Sequence, residues 1–497
     1  MVRNGYLPER EMQTGIGAVL VNFMSQDSLS PGSMIVVAVG FIFTRVFCLL
    51  ICDVLKALRR CYLGSISFVY QILNTPSCRS EGGYEGVFTA SLPLTPYPKG
   101  AILTAHHRHA IWLYAVAHIW DGRRNLMADA TENVISGLEG ILACESSIAY
   151  IDGNVPELSF RGYQIQDIAQ TLTFEQITFL IWHDRIPEGE ELAQFQADLA
   201  SRRAVPQPVF DLLKAMPASA HPMAGLRTAV SMLGALDDKA DDISAEDNLR
   251  KAMNLTAQMP TIVAAQARLQ QGQEPIAPDA ALGYAANYSY MLTGEVPDET
   301  TRRTFETALI LYVEHETNAS TFACRVVCGT EADYYSSVVA GIGAIKGPLH
   351  GGAIDGAMEM FIDMGEPDKA AAYVDNALAN RQKLSGFGHR VYRAGDPRAA
   401  QLRGMAQKLG ESRGDTKWFD IAAAAAKRME ETKGIIPNVD YFAAPVLYQL
   451  GFPLNIFTNV VASARIVGWS GHIFEQYTNN RLIRPRARYT GHRNRTL

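Results

Sequence analysis

Residues 333–352 read Asp333-Tyr-Tyr-Ser-Ser-Val-Val-Ala-Gly-Ile-Gly-Ala-Ile-Lys-Gly-Pro-Leu-His-Gly-Gly352, a segment in which a helix, its end and a reactive side chain follow one another. Asp333 is a typical N-cap residue, and apolar side chains then recur as on one face of a helix. These apolar residues are Val338, Ile342 and Ile345. Gly347-Pro348 ends the helical pattern, so His350 lies at an abrupt break between helices. Such breaks are where a rigid scaffold presents functional groups.

Helical patterns of the same kind continue on both sides of this segment. Asp298 can cap a helix whose apolar stripe contains Phe305, Ala308, Leu309, Tyr312 and Val313. Further helices are predicted over residues 353–364, 368–383, 399–409, 415–432, 441–450 and 454–477. Strand signals are few, and the clearest is a small hairpin within residues 141–163, around Asp152-Gly153-Asn154. The sequence therefore predicts a nearly all-α protein.

The composition of the 497 residues bounds the class of protein. Hydrophobic residues make up 48% and charged residues 19%, which excludes a disordered or fibrous chain and allows two or three domains. The net charge of −6 provides no field that would attract nucleic acid or an anionic membrane. Residues 1–126 carry 11 basic and 7 acidic side chains, whereas the remainder carries 34 and 44. The chain therefore divides near Met127 into two unlike parts.

The first part, residues 1–126, contains an apolar run at residues 34–52 that is long enough to cross a bilayer. Arg45 lies near the middle of this run, where a lone basic residue costs roughly 2.5–3.5 kcal/mol to insert. Three interpretations are open: an extension from a start codon assigned too far upstream, a membrane anchor at residues 34–52, or a soluble extension. We favour the first, with the functional protein beginning near Met127.

Cysteine and glycine patterns after Met127 argue against metal and nucleotide sites. Cys324 and Cys328 lie at i, i+4 spacing without nearby histidines, so we expect buried free thiols rather than metal ligands. With only three cysteines in this part of the sequence, a reducing cytoplasm is the expected compartment. Gly341-Ile-Gly343 does not form a dinucleotide fingerprint, because Lys346 stands where that motif needs glycine.

Three polar residues at breaks between helices are candidates for chemistry: His350, His389 and Asp440. Each has a structural interpretation when taken alone, since a histidine beside glycines can cap a turn and Asp440 can be an N-cap. Glycines flank both histidines, however, as they do where a backbone must approach a ligand closely. A helix N-terminus also disfavours the charged imidazolium, so we expect His350 to be neutral and to donate a hydrogen bond.

Ten short strings occur after Met127 in a characteristic order and spacing. They are Gly137-Leu-Glu-Gly140, Phe160-Arg-Gly-Tyr163, His221-Pro-Met, Leu226-Arg-Thr-Ala-Val-Ser231, His315-Glu-Thr-Asn-Ala-Ser-Thr-Phe322, Lys346-Gly-Pro-Leu-His-Gly-Gly352, Gly386-Phe-Gly-His-Arg-Val-Tyr392, Asp396-Pro-Arg398, Asn438-Val-Asp440 and Arg484-Pro-Arg-Ala487. In these strings, over residues 137–491, the chain resembles the citrate synthase family, specifically its short bacterial form, with 2-methylcitrate synthase as a close relative.

The resemblance implies the architecture of the protein. The family's fold is all-α, with a large helical domain, here residues 127–351 and 452–497, that encloses a small helical domain, here residues 352–451. It also implies a homodimer in the bacterial cytoplasm. Residues 1–126 have no counterpart in the family.

The resemblance also implies a role for each of the three candidates. Asp440 would take a proton from the methyl group of acetyl-CoA, and His350 would bind the thioester oxygen as enolate charge develops. His389 would polarise the ketone of oxaloacetate. An unperturbed aspartate has a pKa of about 3.9, so much of the rate must come from stabilising the enolate oxygen.

Substrate-binding residues follow from the same resemblance. The carboxylates of oxaloacetate would be bound by His315, Arg398 and Arg465 and, across a dimer interface, by Arg484 from the partner subunit; arginine suits such bidentate contacts. Arg393 matches a position that contacts CoA phosphate. No metal and no cofactor beyond the acyl-CoA substrate is implied.

The implied reaction is the condensation of acetyl-CoA with oxaloacetate and water, which gives citrate and CoA through citryl-CoA. The alternative within the class is a 2-methylcitrate synthase that uses propionyl-CoA, because one methylene changes binding by only about 1–3 kcal/mol. The alternative from another class is a membrane-tethered protein that binds ligand without turnover.

Two positions depart from the family's pattern: Glu314, where many members have Asp, and Ile354-Asp355, where many have Asn-Glu.

Overall fold

The computed structural model describes residues 134–497, and the expectations for residues 1–126, including the apolar run at 34–52, lie outside the described residues. Helices dominate the described part, with one small sheet near its start, so the all-α prediction is confirmed. Among the helices of residues 134–497, none is both long and apolar enough to cross a membrane.

Sixteen α-helices follow one another within residues 134–497. They are α1 (Ile165–Ile168), α2 (Phe174–His183), α3 (Gly189–Ser201), α4 (Gln207–Ala215), α5 (Pro222–Ala235), α6 (Ala245–Gln270), α7 (Tyr284–Thr293), α8 (Glu299–Tyr312), α9 (Ala319–Cys328), α10 (Tyr334–Ile345), α11 (Ala353–Met364), α12 (Ala370–Ala379), α13 (Pro397–Arg413), α14 (Lys417–Lys433), α15 (Val439–Gln449) and α16 (Phe457–Thr478). Short 3₁₀ segments accompany them at Ser136–Leu138, Pro367–Lys369 and Leu454–Ile456.

The predicted hairpin is confirmed as the antiparallel pair β1 (Ala149–Asp152) and β2 (Glu157–Phe160). The backbone N–H of Asn154 donates to Asp152 Oδ1 at 2.8 Å, which is the local bond that suits these residues to turns. A two-residue strand that the sequence did not predict, β3 (Tyr163–Gln164), pairs with β2.

Helix α16 forms the centre of the core and is buried over most of its length. Such enclosure is typical of a helix that is apolar around most of its circumference. It packs against α2, α5, α6, α8, α9, α10 and α11. Arg465 and Trp469 lie on this helix and are both buried, so α16 places the guanidinium group of Arg465 in the protein interior.

Helix α10 has the beginning and end that the sequence predicted. Asp333 accepts a hydrogen bond from Ser336 N at 2.9 Å, and the helix ends just before the Gly-Pro pair. A Cβ on Gly341 would lie 2.6 Å from Cys324 Sγ, so glycine at this position permits close helix packing. Cys324 and Cys328 are buried free thiols, as predicted.

The five helices of residues 353–449 pack extensively against one another, with α15 contacting α11, α13 and α14. Helix α11 has the predicted bounds. Helix α13 begins two residues earlier than predicted because Asp396 caps it, accepting from Arg398 N at 3.0 Å, and Pro397 suits a first helical position. The helix predicted over 368–383 ends at Ala379, since Arg381 adopts a left-handed φ of +55°.

Candidate active site

Six of the eight predicted site residues are brought together from separate parts of the chain. They lie after α8 (His315), in the turn before α11 (His350), in the loop before α13 (His389), in the first turn of α13 (Arg398), in the first turn of α15 (Asp440) and in the middle of α16 (Arg465). Direct contacts and electrostatic interactions link the members of this group.

The imidazole of His389 is held in one tautomer by its own loop. Its Nδ1 accepts hydrogen bonds from Val391 N at 3.0 Å and Tyr392 N at 3.1 Å, so Nδ1 carries no hydrogen. Burial and the nearby charge of Arg398 lower the pKa of His389 to about 4, which keeps the ring neutral at pH 7. The neutral ring therefore carries its hydrogen on Nε2, which is free to donate.

His315 is buried against this loop. Its ring centre lies 5.1 Å from that of His389, and its Nε2 lies 3.3 Å from the Tyr392 hydroxyl. Burial, followed by the charge of Arg398, lowers the pKa of His315 well below its ordinary value. The two imidazoles therefore form a neutral pair of hydrogen-bonding groups at the edge of a cationic site.

His350 contacts a hydroxyl that is itself held in place. Its Nε2 lies 2.8 Å from Ser320 Oγ. That hydroxyl donates to Asn318 Oδ1 at 2.8 Å and accepts from Trp469 Nε1 at 3.1 Å. Burial and then the charge of Arg465 lower the pKa of His350 to about 4. The ring is therefore neutral, as the sequence predicted, with burial as the main cause.

Asp440 enters the group from the N-terminus of α15. Its backbone N–H donates to the cap residue Asn438 at 3.0 Å, and its Oδ1 accepts from the Tyr312 hydroxyl at 2.8 Å. Burial raises the pKa of Asp440 to about 6, against the opposing effects of the Tyr312 hydrogen bond and of Arg398. The group therefore ionises near neutral pH, in the range that suits a general base.

Arg398 is buried and paired with its neighbour Asp396. Nε donates to Asp396 Oδ1 at 2.9 Å and Nη2 donates to Oδ2 at 2.8 Å, while Asp396 Oδ2 also accepts from Val439 N at 3.1 Å. Although burial opposes the charge of Arg398, the pair with Asp396 raises its pKa above the ordinary value. The start of α13 is thereby tied to the start of α15.

Arg465 is buried without such a partner. Within residues 134–497, its Nε and Nη1 find no hydrogen-bond acceptor, and burial lowers its pKa to about 10. The nearby carboxylate of Glu314 favours the charged form, but Glu314 Oε1 is taken by His472 Nε2 at 3.0 Å. A buried guanidinium with unpaired N–H groups is suited to an anionic ligand.

The two remaining predicted residues are exposed. Arg393 donates its backbone N–H to Gly153 O at 2.8 Å, which ties the His389 loop to the β1–β2 turn. Arg484 lies in the irregular segment after α16. In the described part of the chain, neither side chain forms a hydrogen bond or ion pair with the buried group.

Sequence reasoning missed several residues that hold the group in place. They are Tyr312, Ser320, Tyr392, Asp396 and Trp469. The sequence pattern places Tyr312 only in an apolar helix stripe, whereas Ser320, Tyr392 and Asp396 lie inside motifs whose predicted site residues are others. The one local signal is the i, i+2 spacing of Asp396 and Arg398.

The arrangement defines a class of enzyme. Buried guanidinium groups and neutral imidazoles can bind a small dianion and polarise its carbonyl, while Asp440, which ionises near neutral pH, can act as a general base. In residues 134–497, no cluster of three or more His, Cys, Asp or Glu side chains is arranged to hold a metal ion. The fold and site are therefore suited to a helical enzyme that carries out acid–base chemistry on carboxylate substrates.

Comparison with known proteins gives the family. Residues 137–486 match the family model described as citrate synthase, C-terminal domain. The chain is 44% identical over 356 residues to citrate synthase 2 of Bacillus subtilis strain 168, covering 71% of this chain and 95% of that protein. It is 43% identical over 370 residues to 2-methylcitrate synthase of Mycobacterium tuberculosis strain H37Rv, covering 74% and 93%. The chain belongs to the citrate synthase family, as its motifs predicted.

A solved structure supports the same conclusion. It is the ternary complex of carboxymethyl coenzyme A and oxaloacetate with citrate synthase from the thermophilic archaeon Thermoplasma acidophilum. The likeness has a TM-score of 0.71 at 32% identity and covers 73% of this chain and 98% of that one. The citrate synthase-like fold is therefore confirmed.

Proposed function

We propose that this enzyme condenses acetyl-CoA with oxaloacetate and water to give citrate and CoA. The observation that carries the proposal is the unpaired, buried Arg465 beside Arg398, because together they form a cationic site for a dicarboxylate. His389 and Asp440 belong to the same group, so a carbonyl-polarising donor and a base lie beside that site.

Asp440 begins the reaction by removing a proton from the acyl methyl group. Its pKa of about 6 makes it a stronger base than an ordinary aspartate, yet it remains ionised at pH 7. The enolate charge develops on the thioester oxygen, where His350 donates a hydrogen bond. Neutral His350 matches this role, since stabilisation of developing charge by an oriented donor lowers the barrier.

Ser320 holds the ring of His350 in position. Its hydroxyl donates to Asn318 Oδ1 at 2.8 Å and accepts from Trp469 Nε1 at 3.1 Å, and Asn318 Oδ1 also accepts from the backbone N–H groups of Ser320 and Thr321. The oxygen of Ser320, fixed in this way, lies 2.8 Å from His350 Nε2.

His389 acts on the second substrate. Its Nε2–H donates to the ketone oxygen of oxaloacetate, which makes the carbonyl carbon more electrophilic. The enol carbon attacks that carbon and forms citryl-CoA, and water then cleaves the thioester to release citrate and CoA. His315 donates a further hydrogen bond to oxaloacetate.

The exposed arginines belong to the proposed assembly. We infer that the enzyme is a homodimer in which Arg484 completes the oxaloacetate site of the partner subunit, and that Arg393 contacts CoA phosphate. The exposure of both side chains supports these roles, because neither is engaged by the buried group within residues 134–497 of its own chain.

Co-expressing Asp440→Ala and Arg484→Leu chains tests whether Arg484 completes the site of the partner subunit. Mixed dimers should recover activity, since one of their two sites then has both residues intact.

The same proposal includes two domains and closure between them. Residues 127–351 and 452–497 form the large domain and residues 352–451 the small one, with the substrates bound in the cleft. Closure over oxaloacetate excludes water until the carbon–carbon bond has formed. We also propose that the enzyme acts in the bacterial cytoplasm, in the tricarboxylic acid cycle, without a cofactor beyond its acyl-CoA substrate.

The decisive experiment measures oxaloacetate-dependent CoA release by the purified full chain. Release from acetyl-CoA is expected, and Asp440→Ala should abolish it while leaving oxaloacetate binding measurable by calorimetry. Absence of release with both acetyl-CoA and propionyl-CoA would contradict the proposal. Oxaloacetate binding without release would instead favour the ligand-binding alternative.

The preferred acyl group is tested in the same assay. Relatives named citrate synthase and 2-methylcitrate synthase are almost equally similar to the chain, at 44% and 43% identity. We expect kcat/KM for acetyl-CoA to exceed that for propionyl-CoA by roughly 10-fold to 200-fold, the range that one methylene permits. The reverse order would assign 2-methylcitrate synthesis.

A further inference from the structure

Tyr312, the last residue of α8, is buried and donates its hydroxyl hydrogen to Asp440 Oδ1 at 2.8 Å. Asp440 lies 128 positions later, near the start of α15, so the bond joins two helices that are remote in sequence. Within residues 134–497, Tyr312 is the single hydrogen-bond donor to this carboxylate, and Oδ2 accepts none. The two oxygens of the proposed base are therefore chemically unequal.

We propose that Tyr312 is a positioning residue: by occupying Oδ1, it leaves Oδ2 as the oxygen that receives the proton from the acyl methyl group. This inference rests on the proposed function. In the step, a methyl C–H bond breaks, an O–H bond forms at Oδ2, and the electron pair moves to the thioester oxygen beside His350. Tyr312 keeps its own proton throughout and acts only through Asp440.

The hydrogen bond fixes the direction in which the base points. An aspartate carboxylate rotates readily about its last side-chain bond, because that torsion is broad. A donor held by a buried ring at the end of a helix restricts this rotation. Proton removal requires the oxygen and the C–H bond to be aligned, and a misplacement of about 1 Å can cost a hundredfold in rate.

The charged groups around Asp440 show what the hydroxyl contributes electrostatically. Burial raises the pKa of Asp440; the Tyr312 hydrogen bond and the charges of Arg398 and Arg465 lower it, whereas the charge of Asp396 raises it. Burial and the nearby carboxylate keep the pKa of Tyr312 well above its ordinary value, so the hydroxyl remains a donor. Its removal should therefore raise the pKa of Asp440, since the charged form loses a hydrogen bond.

The test compares Tyr312→Phe with Tyr288→Phe in the full chain. Tyr288 is a matched control, because it is fully buried and, among residues 134–497, its hydroxyl bonds Ser463 Oγ at 3.2 Å and none of the predicted site residues. In Tyr312→Phe, kcat should fall about tenfold to a hundredfold and the acid limb of its pH profile should move to higher pH. The KM for oxaloacetate should change by less than about twofold, since ground-state binding is untouched. Tyr288→Phe should leave all three quantities unchanged.

Two further measurements separate positioning from a general loss of structure. The primary isotope effect with trideuterated acetyl-CoA should increase in Tyr312→Phe, because proton removal becomes more strongly rate-limiting. Replacing ring hydrogens of Tyr312 with fluorine keeps the ring and makes the hydroxyl a stronger donor, so the acid limb should move the opposite way.

A Tyr312→Phe enzyme with the wild-type acid limb and isotope effect would overturn the inference. An acid limb that stayed in place after fluorination of Tyr312 would overturn it as well. A wild-type enzyme without CoA release would contradict the proposed function instead. In that event, carboxyl ¹³C resonances of labelled aspartate would still test the inference, because the pKa of Asp440 must rise in Tyr312→Phe.

Discussion

Arg398 and Arg465 are buried in the same candidate site, yet their surroundings are opposite. Arg398 donates from Nε and Nη2 to Asp396, so its charge is neutralised within the first turn of α13. Arg465 has no acceptor for Nε or Nη1 in the described part of the chain, and burial lowers its pKa to about 10. One guanidinium is oriented before substrate arrives, whereas the other presents charge that a substrate can neutralise.

The difference gives the two arginines different roles: Arg398 orients a bound substrate, and Arg465 contributes to the affinity for it. A paired guanidinium keeps its plane fixed and has hydrogen-bonding capacity left on the side away from its partner. An unpaired buried cation is costly in the free protein, and a bound carboxylate removes that cost. Stability and oxaloacetate binding should therefore respond differently when the two residues are changed.

Replacing the paired arginine should have the largest combined effect. Arg398→Leu leaves the buried Asp396 carboxylate without its cation, so the free energy of unfolding should fall by about 3–5 kcal/mol. In addition, kcat/KM for oxaloacetate should fall by roughly 30-fold to several thousandfold, as for the loss of a buried charge contact. Urea unfolding and steady-state kinetics measure the two quantities.

The double variant Arg398→Leu/Asp396→Asn is the control for that stability loss. It removes the orphaned charge, so it should recover part of the stability and none of the activity. If Arg398→Leu alone unfolds at the wild-type urea concentration, the neutralised pair is not what holds the start of α13.

Arg465→Leu should reduce activity without the same loss of stability. The kcat/KM for oxaloacetate should again fall at least about 30-fold. The free energy of unfolding should change by less than about 1 kcal/mol, because removing an unpaired buried charge offsets the loss of a counter-charge for Glu314. A destabilisation as large as that of Arg398→Leu would contradict the proposal that only Arg398 contributes to stability through a paired charge.

Glu314 provides a smaller test, because its carboxylate has the largest effect among the groups that favour the charged form of Arg465. Glu314→Gln removes that compensation, so the site becomes more positive and oxaloacetate should bind more tightly. The expected fall in Kd is about threefold to tenfold, or roughly 1 kcal/mol. Glu314→Asp keeps the charge and should leave the Kd, measured by calorimetry, nearer the wild-type value.

The same two arginines show which features of the site can be predicted from the sequence alone. The pair of Arg398 and Asp396 is a local feature, two residues apart in a string that also starts a helix. The isolation of Arg465 depends instead on residues far along the chain, because its neighbour Glu314 is held by His472, 158 positions away from Glu314. No pattern around Arg465 contains that information.

The helices are predicted from the sequence better than the residues around His350, His389 and Asp440. Helix α11 has the bounds that the sequence predicts, because periodicity and flanking glycines are local signals. Tyr312 belongs to an apolar stripe in the sequence, since a buried aromatic at helical spacing is usually core and its acceptor lies 128 positions later. Most of the residues that the sequence did not predict, including Tyr312, Ser320 and Trp469, position others through contacts between distant parts of the chain.

The pH dependence of the wild-type enzyme should reflect Asp440. Its folded pKa is raised to about 6 and its ionised form is the base, so kcat/KM for acetyl-CoA should increase with pH and level off above about 7. His350 and His389 have pKa values of about 4 and stay neutral over this range. A pH series of initial rates measures the limb; an acid limb that persists unchanged in Asp440→Glu would assign it elsewhere.

The smallest expected effect compares the two arginines through Asp440. Both charges favour the ionised carboxylate, and the influence of Arg398 is the greater of the two. Each leucine variant should therefore raise the pKa of Asp440, with the larger rise in Arg398→Leu. The ¹³C carboxyl resonance of Asp440, assigned by its absence in Asp440→Asn, reports this pKa without requiring activity. If Arg465→Leu produced the larger rise, the unpaired guanidinium would dominate the field at the base as well as the affinity for the dicarboxylate.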